Sequence, residues 1–300
     1  MKYVVTGGAG FIGTNLVTKL VADGHEVVVV DDLSAGDSTR LPVAIEFHQL
    51  DIRNTEELGT VFNGADVVVH LAALPRVQTS IDEPVAVHDV NINGTLSVLE
   101  AARAAKVGRV VFAASSAAYG DQETLPLSLD LPPEPKSPYA MHKCVGELMM
   151  KTWATVYGLE TVSLRFFNVY GPHFDPDGPY ALVIGKFLKL KSEDKPLTIT
   201  GDGSQTRDFV HVDDVIEAII LSAMSNRVGK GEVLNVGKGK QTSINELADM
   251  IGGTKEYVEA RLEPKHTLAD VSLTSELLGW QPTRELEVSI ESLKKDMGIV

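Results

Sequence analysis

Tyr139 and Lys143 stand four residues apart in the run Tyr139-Ala140-Met141-His142-Lys143, with Ser115 upstream of them. On a helix that spacing stacks both side chains on one face, with the ammonium beside the phenol. A free tyrosine titrates at about 10 and a lysine at about 10.4, so neither is a useful base at neutral pH unaided. A neighbouring ammonium favours the phenolate, and a phenol brought down to roughly 7 has been moved by about 4 kcal/mol. Such a tyrosine takes a proton from an alcohol, for instance a sugar hydroxyl, while a nearby oxidant takes the hydride. In isolation an ordinary amphipathic helix is the better account of the pair, because a Tyr and a Lys at this spacing recur by chance in many proteins. The decision rests on whether the chain also builds a place for the oxidant.

A β-prone stretch at 2–5 runs into Gly7-Gly8-Ala9-Gly10-Phe11-Ile12-Gly13, followed by a helical pattern through Leu20. Glycines at 7, 10 and 13 in a strand-to-helix turn let the backbone approach a pyrophosphate at the helix N-terminus. The flanking strand and helix are the context this motif requires. Val27-Val28-Val29-Val30 is apolar enough for a central parallel strand and is closed by Asp31-Asp32. Asp31 lies 18 residues past Gly13, where an acid accepts hydrogen bonds from the adenosine ribose. A carboxylate there repels a 2′-phosphate, and no arginine follows immediately, so the expected cofactor is NAD and not NADP. Asp32 reads equally well as a turn residue.

Further strands are expected at 45–48, 67–70 and 109–113, alternating with helical patterns at 54–62 and 85–106. That alternation is the signature of an α/β fold with a doubly wound parallel sheet. Asp51-Ile52 follows the third strand, where it is expected against the adenine, and the small residues of Leu71-Ala72-Ala73 follow the fourth. Asn91 and Asn93 interrupt a helical pattern despite poor propensity, which fits either a polar contact beneath the site or a kinked, polar face. Ser115 and Ser116 close the next strand, and hydroxyls at the C-terminal end of a sheet strand point into the ligand cleft.

Residues 121–138 hold five of the 14 prolines and read as an ordered loop, after which Pro138 opens the Tyr139 helix, expected to run to about Tyr157. A strand at 162–166 leads to Phe166-Phe167-Asn168. Beyond 173 the alternation weakens to a helix at about 181–191, a strand at 197–200 and a Gly201-Asp202-Gly203 turn. Asp213 or Asp214 is the expected N-cap of the helix that follows Arg207-Asp208-Phe209. The expected division is a nucleotide-binding domain at 1–170 and a smaller mixed substrate region at 171–300, part of which crosses back onto the first.

A net charge of −14 argues against nucleic acid or an anionic membrane as the main partner. With 44% hydrophobic and 23% charged residues the composition is that of a soluble globular protein, and no apolar run approaches the roughly 18 residues of a membrane span. The N-terminus reaches its glycines too soon for a signal peptide, so a cytoplasmic location is expected. The single cysteine, Cys144, excludes an internal disulfide and a cysteine-based metal cluster, and no metal is expected.

Together these pieces resemble the extended short-chain dehydrogenase/reductases, specifically the NAD-dependent nucleotide-sugar epimerase/dehydratase group, over nearly the whole length. The resemblance is carried by Thr6-Gly7-Gly8-Ala9-Gly10-Phe11-Ile12-Gly13, Asp31, Asp51-Ile52, His70-Leu71-Ala72-Ala73, Asn91, Ser115, Tyr139/Lys143 and Arg165-Phe166-Phe167-Asn168-Val169-Tyr170-Gly171-Pro172. It continues through Gly201-Asp202-Gly203-Ser204-Gln205-Thr206-Arg207-Asp208-Phe209 to Ala269-Asp270. Within the group the pattern looks most like the UDP-glucose (UDP-galactose) 4-epimerases. The resemblance implies a Rossmann fold and a homodimer joined through the 85–106 and 139–157 helices. It implies catalytic roles for Ser115, Tyr139 and Lys143. It also implies NAD contacts from the 7–13 turn, Asp31, Asp51, Ile52, Leu71 to Ala73, Asn91 and Phe166. For a UDP-sugar it implies contacts from Ser115, Ser116, Asn168, Val183, Thr198, Arg207, Arg261 and Asp270, with the guanidiniums on the diphosphate.

Dehydratase and decarboxylase relatives carry an extra acid just after the catalytic hydroxyl, where this chain has Ser116, Ala117 and Ala118. The implied reaction is therefore C4 epimerisation through a transient 4-keto sugar. A 4-keto reductase or dehydratase of the same fold is the alternative, and a non-catalytic dinucleotide-sensing protein a remote one.

Overall fold

The computed structural model describes residues 1–174, 183–259 and 264–299. The first half is a run of β–α units: β1 (Lys2–Thr6), α1 (Phe11–Ala22), β2 (Glu26–Asp31), β3 (Glu46–Gln49), α2 (Thr55–Val61) and β4 (Val67–His70). Then come α3 (Val77–Asp82), α4 (Pro84–His88), α5 (Gly94–Ala104), β5 (Arg109–Ser115), α6 (Pro138–Tyr157) and β6 (Glu160–Phe166). The second half holds β7 (Asn168–Tyr170), α7 (Val183–Ser192), β8 (Leu197–Thr200), β9 (Thr206–His211), α8 (Val212–Met224) and β10 (Lys230–Val236). It ends with β11 (Gln241–Ser243), α9 (Ile244–Ile251), β12 (Lys255–Val258), α10 (Ser272–Leu278) and α11 (Leu286–Asp296).

Seven strands form one parallel sheet in the order β10-β6-β5-β4-β1-β2-β3. Its apolar strands are buried on both faces, with side chains alternating between two cores. Tyr3, Val5, Val27 and Val29 face one core with Leu16 of α1 and Val215 of α8. Val4, Val28, Val30 and Val68 face the other with Leu58, Val98 and Met150. Each fully buried valine contributes on the order of 1.5–3 kcal/mol relative to exposure. The strand order reverses between β1 and β4, which opens a crevice outside their C-terminal ends, where ligands bind in such sheets.

β10, which follows residue 170, is an edge strand of this large sheet, and α8 packs against the first of its two cores. The remainder makes a mixed sheet in the order β11-β9-β7 and a parallel pair, β12-β8. These pack around a third core that includes Ile184, Phe187, Leu197, Ile199, Leu247 and Ile290. No helix among the described residues is long and apolar enough to cross a membrane.

One local expectation is refined and another corrected. The 85–106 stretch is helical as expected, but a π turn at Asp89–Asn93 lies between its α4 and α5 portions. Asn91 there turns inward and is buried, whereas Asn93 is exposed and donates to Asp89. The N-cap of α8 is neither aspartate but His211, whose ring nitrogen accepts from Asp213 N. Asp214 is buried instead, accepting from Thr283 N at 2.9 Å and Arg284 N at 3.1 Å, and so fastens the segment ahead of α11. Asp213 pairs with Arg284.

Candidate active site

Four elements bring Tyr139, Lys143 and Ser115 together. Ser137 caps α6 by accepting from Ala140 N, and Pro138 occupies its first turn, so the helix starts one residue before Tyr139. Tyr139 N donates to the buried Ser80 Oγ of α3 at 3.1 Å. The Tyr139 phenol lies close enough to the Ser115 side chain for the hydroxyl to pull the phenol's pKa down, and Ser115 Oγ accepts from Ala117 N. One turn below, Lys143 is buried, its Nζ 5.8 Å from the Tyr139 ring centre and 4.9 Å from that of Phe112.

The electrostatics overturn one expectation. Burial pushes the Tyr139 phenol above its ordinary pKa, with the neighbouring Ser115 side chain pulling the other way. Burial also pulls Lys143 down to about 8, against the opposing charge of Glu147. Desolvation penalises each charged form, so the folded chain by itself favours a neutral phenol. The stacked lysine does not by itself bring the phenol's pKa down to neutral pH.

Beneath the pair, sequence reasoning missed two supports. Glu147 lies one further turn along α6 and makes two 2.8 Å bonds to Arg165 of β6, both groups buried. Its place four residues past Lys143 on the same stripe is the signal that would have found it. His70 links Thr6 Oγ1 at 2.8 Å to Thr95 Oγ1 at 3.0 Å. Burial lowers its pKa to about 3, so the ring is neutral. Because the Thr95 hydroxyl donates to Asn91 O, it accepts from His70 Nε2, which leaves Nδ1 to accept from Thr6. Asn91 in turn binds Leu74 N at 2.8 Å and Leu74 O at 3.1 Å, holding the loop after β4. Asn91 thus supports the Leu71-Ala72-Ala73 segment, all three of which remain partly accessible.

On the cofactor side, Gly7 sits at φ +71°, and a Cβ there would lie 2.6 Å from Ala72 N. A Cβ at Gly13 would lie 2.6 Å from Gly8 Cα, so helix and turn meet backbone to backbone. Gly10 caps α1 without any side-chain bond, and the first turn, Phe11 to Gly13, carries no acid. The first-turn N–H groups of α1 therefore meet no acid of the helix itself. Asp31 accepts from Ala9 N at 3.0 Å and Leu33 N at 2.9 Å, while burial raises its pKa. Asp32 points outward and accepts from Ser34. Asp51 pairs with Arg53, Ile52 is buried against Gly94, and Phe166 is buried at the end of β6. The open helix end, the glycine turn and the acid closing β2 fit a dinucleotide.

The expected sugar-nucleotide residues are more dispersed. Ser116 opens a 3-10 turn, Ser116–Tyr119, directly after Ser115. Asn168 and Arg207 share the three-stranded sheet, where Arg207 is buried and its Nη1 donates to Thr206 O and Lys265 O. Val183 opens α7, and Thr198 lies on the exposed face of β8. Asp270 Oδ1 accepts from Ser272 N. Arg261 and the start of the 181–191 helix lie outside the described residues.

Residues 3–237 match a family model, the NAD dependent epimerase/dehydratase family. The sequence is 39% identical over 296 residues to a UDP-glucose 4-epimerase of Mycolicibacterium smegmatis, covering 94% of each chain. The fold matches that of a UDP-N-acetylglucosamine 4-epimerase from Methanobrevibacter ruminantium, solved with UDP-N-acetylmuramic acid. The TM-score is 0.93 and the identity 35%, over 98% of this chain and 97% of the other. It also matches a Thermus thermophilus UDP-glucose 4-epimerase in complex with NAD, with TM-score 0.91 and 33% identity over 99% of each chain.

Proposed function

The chain belongs to the NAD-dependent epimerase/dehydratase family, and from that membership we propose that it is a nucleotide-sugar 4-epimerase using NAD, with a UDP-sugar as substrate. The observation that carries the reading is the Tyr139 ring stacked above a buried Lys143 that is held to the strand ending in Ser115, followed by a turn without an acid. NAD would be held by the 7–13 turn, Asp31 and Lys143, and when bound supplies a hydride acceptor and, in its oxidised form, a positive charge that favours a nearby phenolate. Tyr139 Oη moves the C4 hydroxyl proton out and back, while Ser115 Oγ holds the same oxygen in line. One phenol serves both directions, so the sugar must present its two C4 faces in turn. Elimination of water would require a further acid or base, and Ser116, Ala117 and Ala118 provide none. That favours epimerase over dehydratase.

Asn168, Arg207, Arg261 and Asp270 are assigned to the nucleotide sugar on this reading, with Val183 and Thr198 near the base. A homodimer belongs to the same proposal, supported by exposed Val77, Ile81, Val85, Met141 and Leu148 on α3, α4 and α6. The test is incubation with UDP-glucose, UDP-N-acetylglucosamine and UDP-glucuronate without added cofactor, followed by product NMR. At least one C4 epimer should form. Stoichiometric consumption of NAD(P)H with a 4-keto sugar would point to the reductase instead.

A further inference from the structure

Asn235 is the polar residue in the apolar second half of β10, Val233-Leu234-Asn235-Val236, and it is wholly buried. Its side-chain amide is fully engaged. Oδ1 accepts from Tyr119 Oη at 2.8 Å, and Nδ2 donates to Leu127 O at 2.8 Å and Asp270 O at 3.0 Å. One acceptor and two donors meet one hydroxyl and two carbonyls, so the amide has a single satisfied orientation.

The three partners come from one short 3-10 turn and two segments outside the helices and strands. Tyr119 ends the turn that begins at Ser116. Leu127 belongs to the proline-rich loop after it, and its backbone laces onto the 268–270 segment through Leu127 N to Leu268 O at 2.7 Å and Asp270 N to Leu127 O at 3.2 Å. A small cluster of Tyr119, Leu127, Phe167 and Ala269 packs beneath them, with Leu125, Leu129, Leu131 and Val271 partly buried against it. To that non-directional packing the amide adds bonds that are satisfied in one register. The other face of Tyr119 carries the Arg165 guanidinium, 4.5 Å from the ring centre, and Arg165 is clamped to Glu147 on the helix that bears Tyr139 and Lys143. A continuous buried path therefore runs from α6 through Glu147, Arg165, Tyr119 and Asn235 to Leu127 and Asp270.

We propose that Asn235, acting through Tyr119, is a positioning residue: it holds the Ser116–Tyr119 turn and the 268–270 segment in one frame, so that the sugar is aligned with Tyr139. This deepens the epimerase reading and rests on it. A purely structural amide would change stability, whereas a positioning amide changes kcat while cofactor and helix stay in place.

The experiment uses Tyr119→Phe, Asn235→Leu and the double variant, with kcat, bound NAD and backbone amide exchange measured on each. Each single variant should lose about tenfold or more in kcat at unchanged NAD content. The double variant should lose no more than the worse single one, because both cut the same link. Exchange at Leu127 and Asp270 should accelerate while the amides of α6 keep their protection. A kcat within about twofold of the parent in both singles, or a double variant equal to their product, overturns the proposal. If Asn235→Leu fails to fold, Tyr119→Phe decides alone, and a kcat within about twofold of the parent then overturns the proposal. Should the parent lack epimerase activity, the functional reading fails, while the exchange pattern still reports whether Asn235 sets this frame.

Discussion

Lys143 Nζ donates to the carbonyl oxygen of Ala113 at 2.7 Å, which anchors the ammonium to the strand that ends in Ser115. One of its three protons is thereby fixed, and the side chain cannot swing away from the phenol above it. The same burial makes the charge costly. With a folded pKa of about 8, against about 10.4 unfolded, the native state binds this proton less tightly than the unfolded chain. Below about pH 8 both states are protonated and the full penalty applies. It fades as pH rises from about 8 to about 10.4, by roughly 3 kcal/mol at most. Lys143→Met should therefore match or exceed the parent in Tm at pH 7 without NAD, yet lose nearly all turnover. Thermal melts of both apo proteins from pH 7 to 10.5 check this: the difference should shrink with rising pH, and a lower Tm for Lys143→Met at pH 7 refutes it.

Tyr139→Phe should keep the fold and bound NAD and lose about 10²–10⁴-fold in kcat, the range for removing a general acid–base. The raised phenol adds a second expectation. In a difference titration of parent against Tyr139→Phe, the phenolate absorbance of the apo protein should emerge above the ordinary tyrosine range. Loading with NAD should move it downward. A phenolate already present at neutral pH in the apo protein would show that Lys143 tunes it alone after all.

How much of this was legible in the sequence follows from where each determinant lies. The parallel strands announce themselves because burial on both faces demands unbroken apolar runs, as in Val27 to Val30. Gly7, Asp31, Ser115, Tyr139 and Lys143 sit at strand ends or on one helical stripe, so local spacing locates them. The π turn at Asp89–Asn93 left only two misplaced asparagines as a trace. His211 displaced the aspartates as N-cap because Asp214 was needed elsewhere, 69 and 70 residues away at Thr283 and Arg284. The pKa of Tyr139 depends on tertiary burial, which spacing does not encode. Asn235 meets Tyr119 across 116 residues of chain, a contact no local pattern reveals.

His70 and His142 make the fold acid-sensitive. Both are buried, with pKa values lowered to about 3 and about 4 chiefly by desolvation. His88 and Lys143 further disfavour a charge on His142. Neutral imidazole in the native state and an unfolded pKa of about 6.5 mean that the stability they protect is present above pH 6.5. It is lost as pH falls from there toward 4, at up to about 1.4 kcal/mol per pH unit for each group. His142→Phe should flatten the decline in denaturant-derived stability between pH 6.5 and 4 by about one such increment per unit. An unchanged slope would mean that His142 gains access to water before the chain unfolds.

The glycine turn separates folding from cofactor binding at two positions. A Cβ on Gly13 would lie 2.6 Å from Gly8 Cα and closer still to Gly7 O, both backbone atoms that yield only if β1 and α1 part. A Cβ on Gly10 would meet only Gly7 O, at 3.3 Å, and the residue's φ of −80° suits alanine. Gly13→Ala should therefore destabilise the apo protein by several kcal/mol, on the order of other overpacking at a rigid contact. Gly10→Ala should leave the apo Tm almost unchanged and instead weaken NAD retention, because its methyl group stands at the open end of α1. Apo melts paired with NAD content after gel filtration distinguish the two. Equal NAD retention in Gly10→Ala and the parent would remove the α1 N-terminus from the cofactor site.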